Sequence, residues 1–334
     1  MKSEILELLR STTEYVSGQE LCERFGVSRT AVWKAIESLK KDGYTIEAVR
    51  NRGYKLSDED ADIFNERELA REFEKSKFIR KSFFYETIGS TNTEAKKLAD
   101  EGEAEKILVA ADRQVSGKGR RGRAWVSPAG KNVYFSLMLK PDLYPEKAPM
   151  LTLVMAMAVA KVLNRMRPAS AEKDIPEVNI KWPNDILIGG KKVCGILTEM
   201  SVENTYIHYV VIGVGINVKR QSFEKEISAT ASSIEKEWGI SVNRCELIGN
   251  IMKAFEEYLE SFLEKKDLSG LREEYESFLI NMNREVRILD PKGEYNAVAR
   301  GINTTGELVV KKEDGQIVNI YAGEVSVRGI YGYT

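Results

Sequence analysis

The sequence predicts an α+β protein in three parts, and three patterns along its 334 residues predict it. Residues 4 to 56 run as short helices, a tight turn and a glycine-punctuated hairpin. From Phe83 to Asn217 the strand-like runs outnumber the helical patterns between them, which favours a mixed sheet over a doubly wound one. From Arg284 to Tyr331 short strands are separated by evenly spaced glycine turns, the mark of a small β barrel. A chain this long exceeds what one core usually serves, and the divisions fall at 1–60, 61–282 and 283–334.

In the first part, Ile5, Leu6, Leu8 and Leu9 give one helix an apolar face, and Gly18 to Phe25 reads as a second helix. Gly26-Val27 is a turn. Ser28 is the N-cap of a third helix from Arg29 to about Lys41, because its oxygen can accept an orphan amide of the first turn. That is helix-turn-helix spacing. Ala31, Val32, Ala35, Ile36 and Leu39 take the core positions and leave Arg29, Thr30, Trp33 and Lys34 for other faces. Residues 44 to 56 alternate like two strands about Arg50-Asn51-Arg52-Gly53, a basic turn that suits the wing of a winged helix. The net charge of −1 excludes binding of nucleic acid over the whole surface, but residues 28 to 41 alone carry +3. Charge thus concentrates where a recognition helix needs it, and Ser28, Arg29, Thr30, Trp33, Lys34, Arg50 and Arg52 are the candidate DNA contacts. A helical protein-interaction domain is the bland alternative.

An acidic break at 57 to 62 reads as a linker, and an amphipathic stretch from Asn65 to Phe73 follows it. The longest apolar run, Met150 to Leu163, is interrupted by Thr152 and Lys161 and falls short of the roughly 18 residues of a membrane span. It reads as a core helix. The N-terminus mixes acids into its apolar stretch and has no small-residue cleavage site, so a cytoplasmic protein with no membrane partner is expected. Cys22, Cys194 and Cys245 are far apart, and the single histidine, His208, lies in a strand-like run. Neither a disulfide framework nor a metal site is expected, and any chemistry must run without a histidine base. Helices resume at Arg244 to Leu263 and at Leu271 to about Asn281.

The strongest local signal is the run Gln114 to Trp125, between two strands. Gly117, Gly119 and Gly122 let backbone amides approach a ligand, while Lys118, Arg120, Arg121 and Arg123 offer donors to phosphate or carboxylate oxygens. It reads as an anion-gripping loop, though solvated surface charge is the other use of such residues. Lys181-Trp182-Pro183-Asn184-Asp185 ends an apolar strand, where a fixed lysine either stabilises charge developing on phosphate or is a solvated edge charge. Gly213-Val214-Gly215-Ile216-Asn217 either lets a planar ligand lie on the backbone or marks a bulge. Gly89-Ser90-Thr91-Asn92 is a strand-to-helix turn whose hydroxyls either cap the helix or bind a polar ligand.

Together and in this order, Ser90-Thr91-Asn92, the Gly117 to Trp125 loop, Lys181 to Asp185 and Gly213 to Val218 resemble the biotin protein ligases. The winged helix ahead of them makes the chain most similar to members that are both ligase and repressor of the biotin operon. The resemblance covers nearly the entire chain and implies an SH3-like fold for the last part. It implies that biotin and ATP, with Mg2+, form biotinyl-5'-AMP, and that biotin then passes to a lysine of the biotin carboxyl carrier protein of acetyl-CoA carboxylase. Biotin would lie near Ser90, Thr91, Asn92, Gln114, Gly117, Lys118, Gly119 and Arg120, flanked by Gly195 and Gly215. Lys181 and Arg120 would be catalytic, Lys181 touching both carboxylate and phosphate. Arg120, Arg121, Asn184 and Asn217 would serve ATP or the adenylate, with Trp125 stacked over adenine. The loop would close over the adenylate. Residues 1–56 would bind operator DNA, and the adenylate-bound protein would be a homodimer. The family commonly has arginine where Lys118 stands, a swap that matters if that side chain forks onto an oxygen. A lipoate ligase shares this fold and reaction but ordinarily lacks the head and the loop. A ligase whose head has lost DNA binding is the other alternative.

Overall fold

The computed structural model describes every residue except 58–61, 170–173, 204, 291–292, 322–325 and 330–334, so most of the expected linker lies outside it. The described residues form two compact units, 1–65 and 66–334. The first contains α1 (Lys2–Arg10), α2 (Gly18–Phe25), α3 (Arg29–Lys41), β1 (Ile46–Val49) and β2 (Gly53–Leu56). Ile5, Leu6, Leu9, Leu21, Val32, Ile36 and Leu39 make its core. Ser28 caps α3 as expected, its oxygen accepting from Ala31 N at 3.2 Å. The two strands pair Val49 with Gly53, and Val16 exchanges backbone hydrogen bonds with Tyr54 to add a third row. Gly53 is irreplaceable there: its φ is +114°, and a Cβ would lie 2.0 Å from Val16 O.

The second unit begins with α4 (Glu66–Phe73), β3 (Lys81–Ile88), α5 (Thr91–Asp100), β4 (Ile107–Gln114), β5 (Val133–Leu139) and α6 (Met150–Met166). It continues with β6 (Val178–Lys181), β7 (Asp185–Ile188), β8 (Lys191–Glu203), β9 (Tyr206–Ile216), α7 (Ile234–Trp238), α8 (Arg244–Lys265) and α9 (Arg272–Phe278). Seven strands form a mixed sheet in the order β3-β4-β5-β9-β8-β7-β6, parallel only between β3 and β4. α6 packs on α8 and on the β6 to β9 side of the sheet, and α5 covers β4, β5 and β9. From Met150 to Leu163 every α6 residue is buried except Thr152 and Lys161, the two polar interruptions of the run. α9 ends at Phe278, earlier than its apolar pattern suggests, because Leu279 bridges Ile180 and Ile280 N donates to Ile180 O. The tertiary backbone partner outcompetes helix continuation.

The chain closes with β10 (Glu285–Leu289), β11 (Tyr295–Ile302), β12 (Leu308–Lys312), β13 (Ile317–Ile320) and β14 (Ser326–Gly329). They form a five-stranded antiparallel sheet in the order β13-β12-β11-β10-β14, the last strand returning to the first as a small barrel requires. Trp182 Nε1 donates to Gly306 O at 2.9 Å, which ties this sheet to the strand-end motif of the larger one.

Candidate active site

Parallel pairing of β3 and β4 sets Ile88 opposite Gln114, so the turn at Ser90 and the start of α5 meet the Gln114 side chain. Gln114 Oε1 accepts from Thr91 N at 2.9 Å and lies 3.2 Å from the Thr91 hydroxyl, and Gln114 Nε2 donates to Ser127 Oγ at 3.0 Å. Behind them Ser136 of β5 is fully buried, its Oγ 2.8 Å from Thr91 Oγ1 and 2.6 Å from Asn92 Oδ1. Ser90 is buried at the N-cap position of α5 yet makes no side-chain cap bond. The capping use is thus unrealised.

The glycine-rich loop is itself a hairpin. Ser127 pairs with Gln114 and Ala124 with Lys118, Trp125 N donates to Gly117 O at 2.9 Å, and Gly119 N donates to Arg123 O at 2.7 Å. A 3-10 turn, Arg120–Gly122, forms its tip with Arg121 in the left-handed region at φ 57°. Gly117 permits this closure, since a Cβ would fall 2.3 Å from Trp125 O. Lys118 is exposed and donates to Thr93 Oγ1 at 3.1 Å. Arg120 turns inward and donates to Asn184 Oδ1 at 2.7 Å. Burial lowers the pKa of its guanidinium, opposed by the carboxylate of Asp185. Arg121 and Arg123 remain on the exposed face.

The hairpin folds over a glycine floor. Gly195 of β8 and Gly215 of β9 are cross-strand partners, and the Trp125 indole lies across both. A Cβ on Gly215 would approach Trp125 Nε1 to 2.5 Å, and one on Gly195 would approach Cζ3 to 2.9 Å. Trp125 Nε1 is buried without a hydrogen-bond partner among the described residues, so the indole covers the floor by packing alone. Lys192 Nζ sits 5.3 Å from the ring centroid and pairs with Asp185 Oδ1 at 2.6 Å. Asp185 faces Lys181 across the β6 and β7 ladder, and the turn between them carries a cis Trp182-Pro183 bond. Lys181 is 5% exposed, which makes it a fixed cation at the end of a buried strand, not a solvated edge charge.

Two expected ligand contacts are already engaged with the protein. Asn184 holds Arg120 with one amide atom and donates to Ile196 O at 3.0 Å with the other. Asn217 is buried and donates to Ser232 O at 3.0 Å. Both side chains brace the site walls. Ser127, Ser136, Lys192 and Glu199 carry no signal in the sequence, because a lone serine or a charge within a strand looks like any other until the sheet register places it. In the first unit the expected DNA contacts Arg29, Thr30, Trp33, Lys34, Arg50 and Arg52 are all exposed, Trp33 at 54%. Arg29 donates to Gln19 Oε1, and Arg52 stacks 4.4 Å over the Tyr15 ring. Ser28 is exposed too, with its oxygen spent on the cap. Among the described residues no group of histidine, cysteine, aspartate or glutamate is placed to hold a metal ion, and no helix is long and apolar enough to cross a membrane.

Comparison with known proteins agrees along the whole chain. The profile of the biotin/lipoate A/B protein ligase family matches residues 84–217, a helix-turn-helix domain profile matches 2–55, and the biotin protein ligase C-terminal domain matches 282–328. The bifunctional ligase/repressor BirA of Bacillus spizizenii is 34% identical over 98% of this chain and 98% of its own length. BirA of Escherichia coli is 30% identical over 96% of this chain and 95% of its own. The biotin protein ligase from Aquifex aeolicus in complex with biotin and ATP superposes with a TM-score of 0.63 at 27% identity, covering 75% of this chain and 100% of that one.

Proposed function

The chain belongs to the biotin protein ligase family and carries the helix-turn-helix head of its bifunctional ligase/repressor members, and from that premise we propose how its own residues divide the work. The ring of biotin binds at the Ser90, Thr91 and Gln114 cluster, with its carboxylate toward Lys181 and the loop. The carboxylate attacks the α-phosphorus of ATP and pyrophosphate leaves. Lys181 and Arg120 supply fixed positive charge as negative charge builds on the phosphoryl oxygens. Mg2+ enters with ATP as part of the substrate. A lysine of the biotin carboxyl carrier protein then attacks the mixed anhydride, forming the amide and releasing AMP. Positioning and electrostatics suffice for both steps, so no histidine base and no covalent enzyme intermediate is required.

The single observation that carries this reading is Lys181, buried at a strand end beside the glycine floor that the loop covers. Its charge matters most as phosphorus is attacked, so Lys181→Ala should lower single-turnover adenylation by on the order of 10² or more and biotin binding far less. Equal adenylation rates in mutant and parent would remove Lys181 from the mechanism.

For the partners, the supporting observation is the edge of β8. β7 pairs with β8 only from Lys191 to Gly195, and no described strand pairs with residues 196 to 203 on that side. Met200 and Val202 are exposed there at 43% and 46%, and an apolar cleft of about 180 Å3 runs along Ile196 to Met200 beneath Pro149 and Tyr321. An unpaired edge with apolar side chains invites strand addition. We assign this edge to the carrier protein and to a second copy of the chain in turn, so that carrier supply and homodimer formation oppose each other. Asn184, which braces Arg120, also donates to Ile196 O at the start of this edge.

A further inference from the structure

We propose that Glu199 is a positioning residue for biotin recognition, setting the direction of every hydrogen bond in the buried Asn92, Ser136 and Thr91 chain. This rests on the placement of the biotin ring proposed above and adds to it a residue outside the binding cluster.

Asn92 is 4% exposed and its amide is wedged against the sheet: a Cβ on Gly213 would lie 2.0 Å from Asn92 Oδ1. Shape alone does not choose between the two orientations of an amide, since its oxygen and nitrogen are nearly the same size. Chemistry does. Glu199 Oε2 lies 2.8 Å from Asn92 Nδ2, and a carboxylate only accepts, so the nitrogen must face Glu199 and the oxygen must face Ser136. Leu197 O, 3.4 Å from the same nitrogen, agrees with that orientation more weakly. Ser136 then gives its one proton to Asn92 Oδ1. Its oxygen has none left for Thr91 and presents a lone pair that takes the Thr91 hydroxyl proton at 2.8 Å, in preference to Gln114 Oε1 at 3.2 Å. Thr91 Oγ1 therefore keeps its own lone pairs open toward the site, where they accept an N–H of the ligand ring.

Lys96 completes the device from the far side, donating to Glu199 Oε1. A glutamine at position 199 has a single oxygen, and an ammonium can only donate, so Lys96 claims that oxygen and turns the NH2 group toward Asn92. Asn92 must then present its oxygen to Gln and its nitrogen to Ser136. Ser136 redirects its proton to Thr91 Oγ1, where it competes with the ligand N–H. No atom moves by more than an amide flip, yet Ser136 takes one of the two Thr91 lone pairs and weakens the acceptor that the ligand meets.

The test is biotin binding without ATP, by titration calorimetry, to the full chain. Glu199→Gln should weaken biotin roughly tenfold, the scale of one hydrogen bond. Adding Lys96→Met frees the glutamine oxygen to face Asn92, and Lys96→Met/Glu199→Gln should regain the parent affinity. An effect of charge loss or of general damage to the fold would instead be equal or greater in the double variant, and that result overturns the proposal. So does an unchanged affinity in Glu199→Gln. If the single variant does not fold by circular dichroism, the double variant decides alone, with parent affinity expected and weakened affinity contrary. A parent protein that binds no biotin would overturn the ring placement and this inference with it.

Discussion

Trp125 shows how far one side chain depends on atoms that are missing elsewhere. The indole rests on Gly215 and Gly195, and a methyl group at 215 would stand 2.5 Å from its nitrogen. Gly215→Ala should therefore displace the indole with little cost to the fold, because the obstacle lies on a loop and not on a strand. Tryptophan emission should shift to longer wavelength in Gly215→Ala, and the shift should be absent when Trp125→Phe is also present; a shift of the same size there would place the disturbance at another tryptophan. Arg120 is the loop's inward clamp through Asn184. Arg120→Gly should still form adenylate and release it early, so that free activated biotin labels bystander proteins; a parent-like lifetime of the bound adenylate would deny the loop its role as lid. Glu199 adds a pH signature. Burial would raise its pKa, but the bonds from Lys96 and Asn92 outweigh burial and hold it below the usual carboxylate range. A depressed folded pKa stabilises the protein above the unfolded value and loses that contribution as pH falls through the folded one. Glu199→Gln should flatten the acid limb of stability below about pH 5, measured by urea unfolding.

At the scale of elements, the parts that the sequence revealed are those in which one residue type has one job. Ser28 as N-cap, Thr152 and Lys161 as breaks in the α6 core, and Arg50 to Gly53 as the wing turn all stand where local chemistry put them. Removing the Ser28 cap oxygen in Ser28→Ala should cost about 1 kcal/mol in the stability of residues 1 to 65, read from thermal unfolding of the head. No loss would mean that tertiary contacts alone hold the helix start. What stayed hidden depends on partners distant in sequence. β4 runs to Gln114, beyond the apolar run that announces it, because β3 lies alongside as far as Ile88. α9 stops early because Ile180 recruits its end. The site was legible as motifs, but the hairpin form of its loop was not; the pairing of Lys118 with Ala124 involves residues whose side chains announce nothing. Ser136, Lys192 and Glu199 became visible only through register.

In the whole molecule, one adenylate is proposed to serve two ends. A single winged helix with a local charge of +3 makes few phosphate contacts, so specific binding calls for two heads on two half-sites. The adenylate promotes that state only if it binds the dimer better than the monomer; on the proposed reading, a loop ordered over the ligand and braced through Asn184 to the β8 edge would supply such a difference. A coupling of ~1 to 3 kcal/mol, the usual range, gives a ~5- to 150-fold shift in operator affinity. Operator binding at fixed salt, with sedimentation, should show that shift and a larger particle when a non-hydrolysable adenylate analogue saturates the protein; identical affinity and size with and without it would leave a ligase with an uncoupled head. All of this depends on the adenylate being made by this chain. The direct test is rapid-quench analysis of the protein with ATP labelled in its α-phosphate. Biotin-dependent release of pyrophosphate is expected, with the label retained in enzyme-bound biotinyl-5'-AMP, at a rate that collapses in Lys181→Ala. Pyrophosphate release that is absent, or indifferent to biotin, would contradict it.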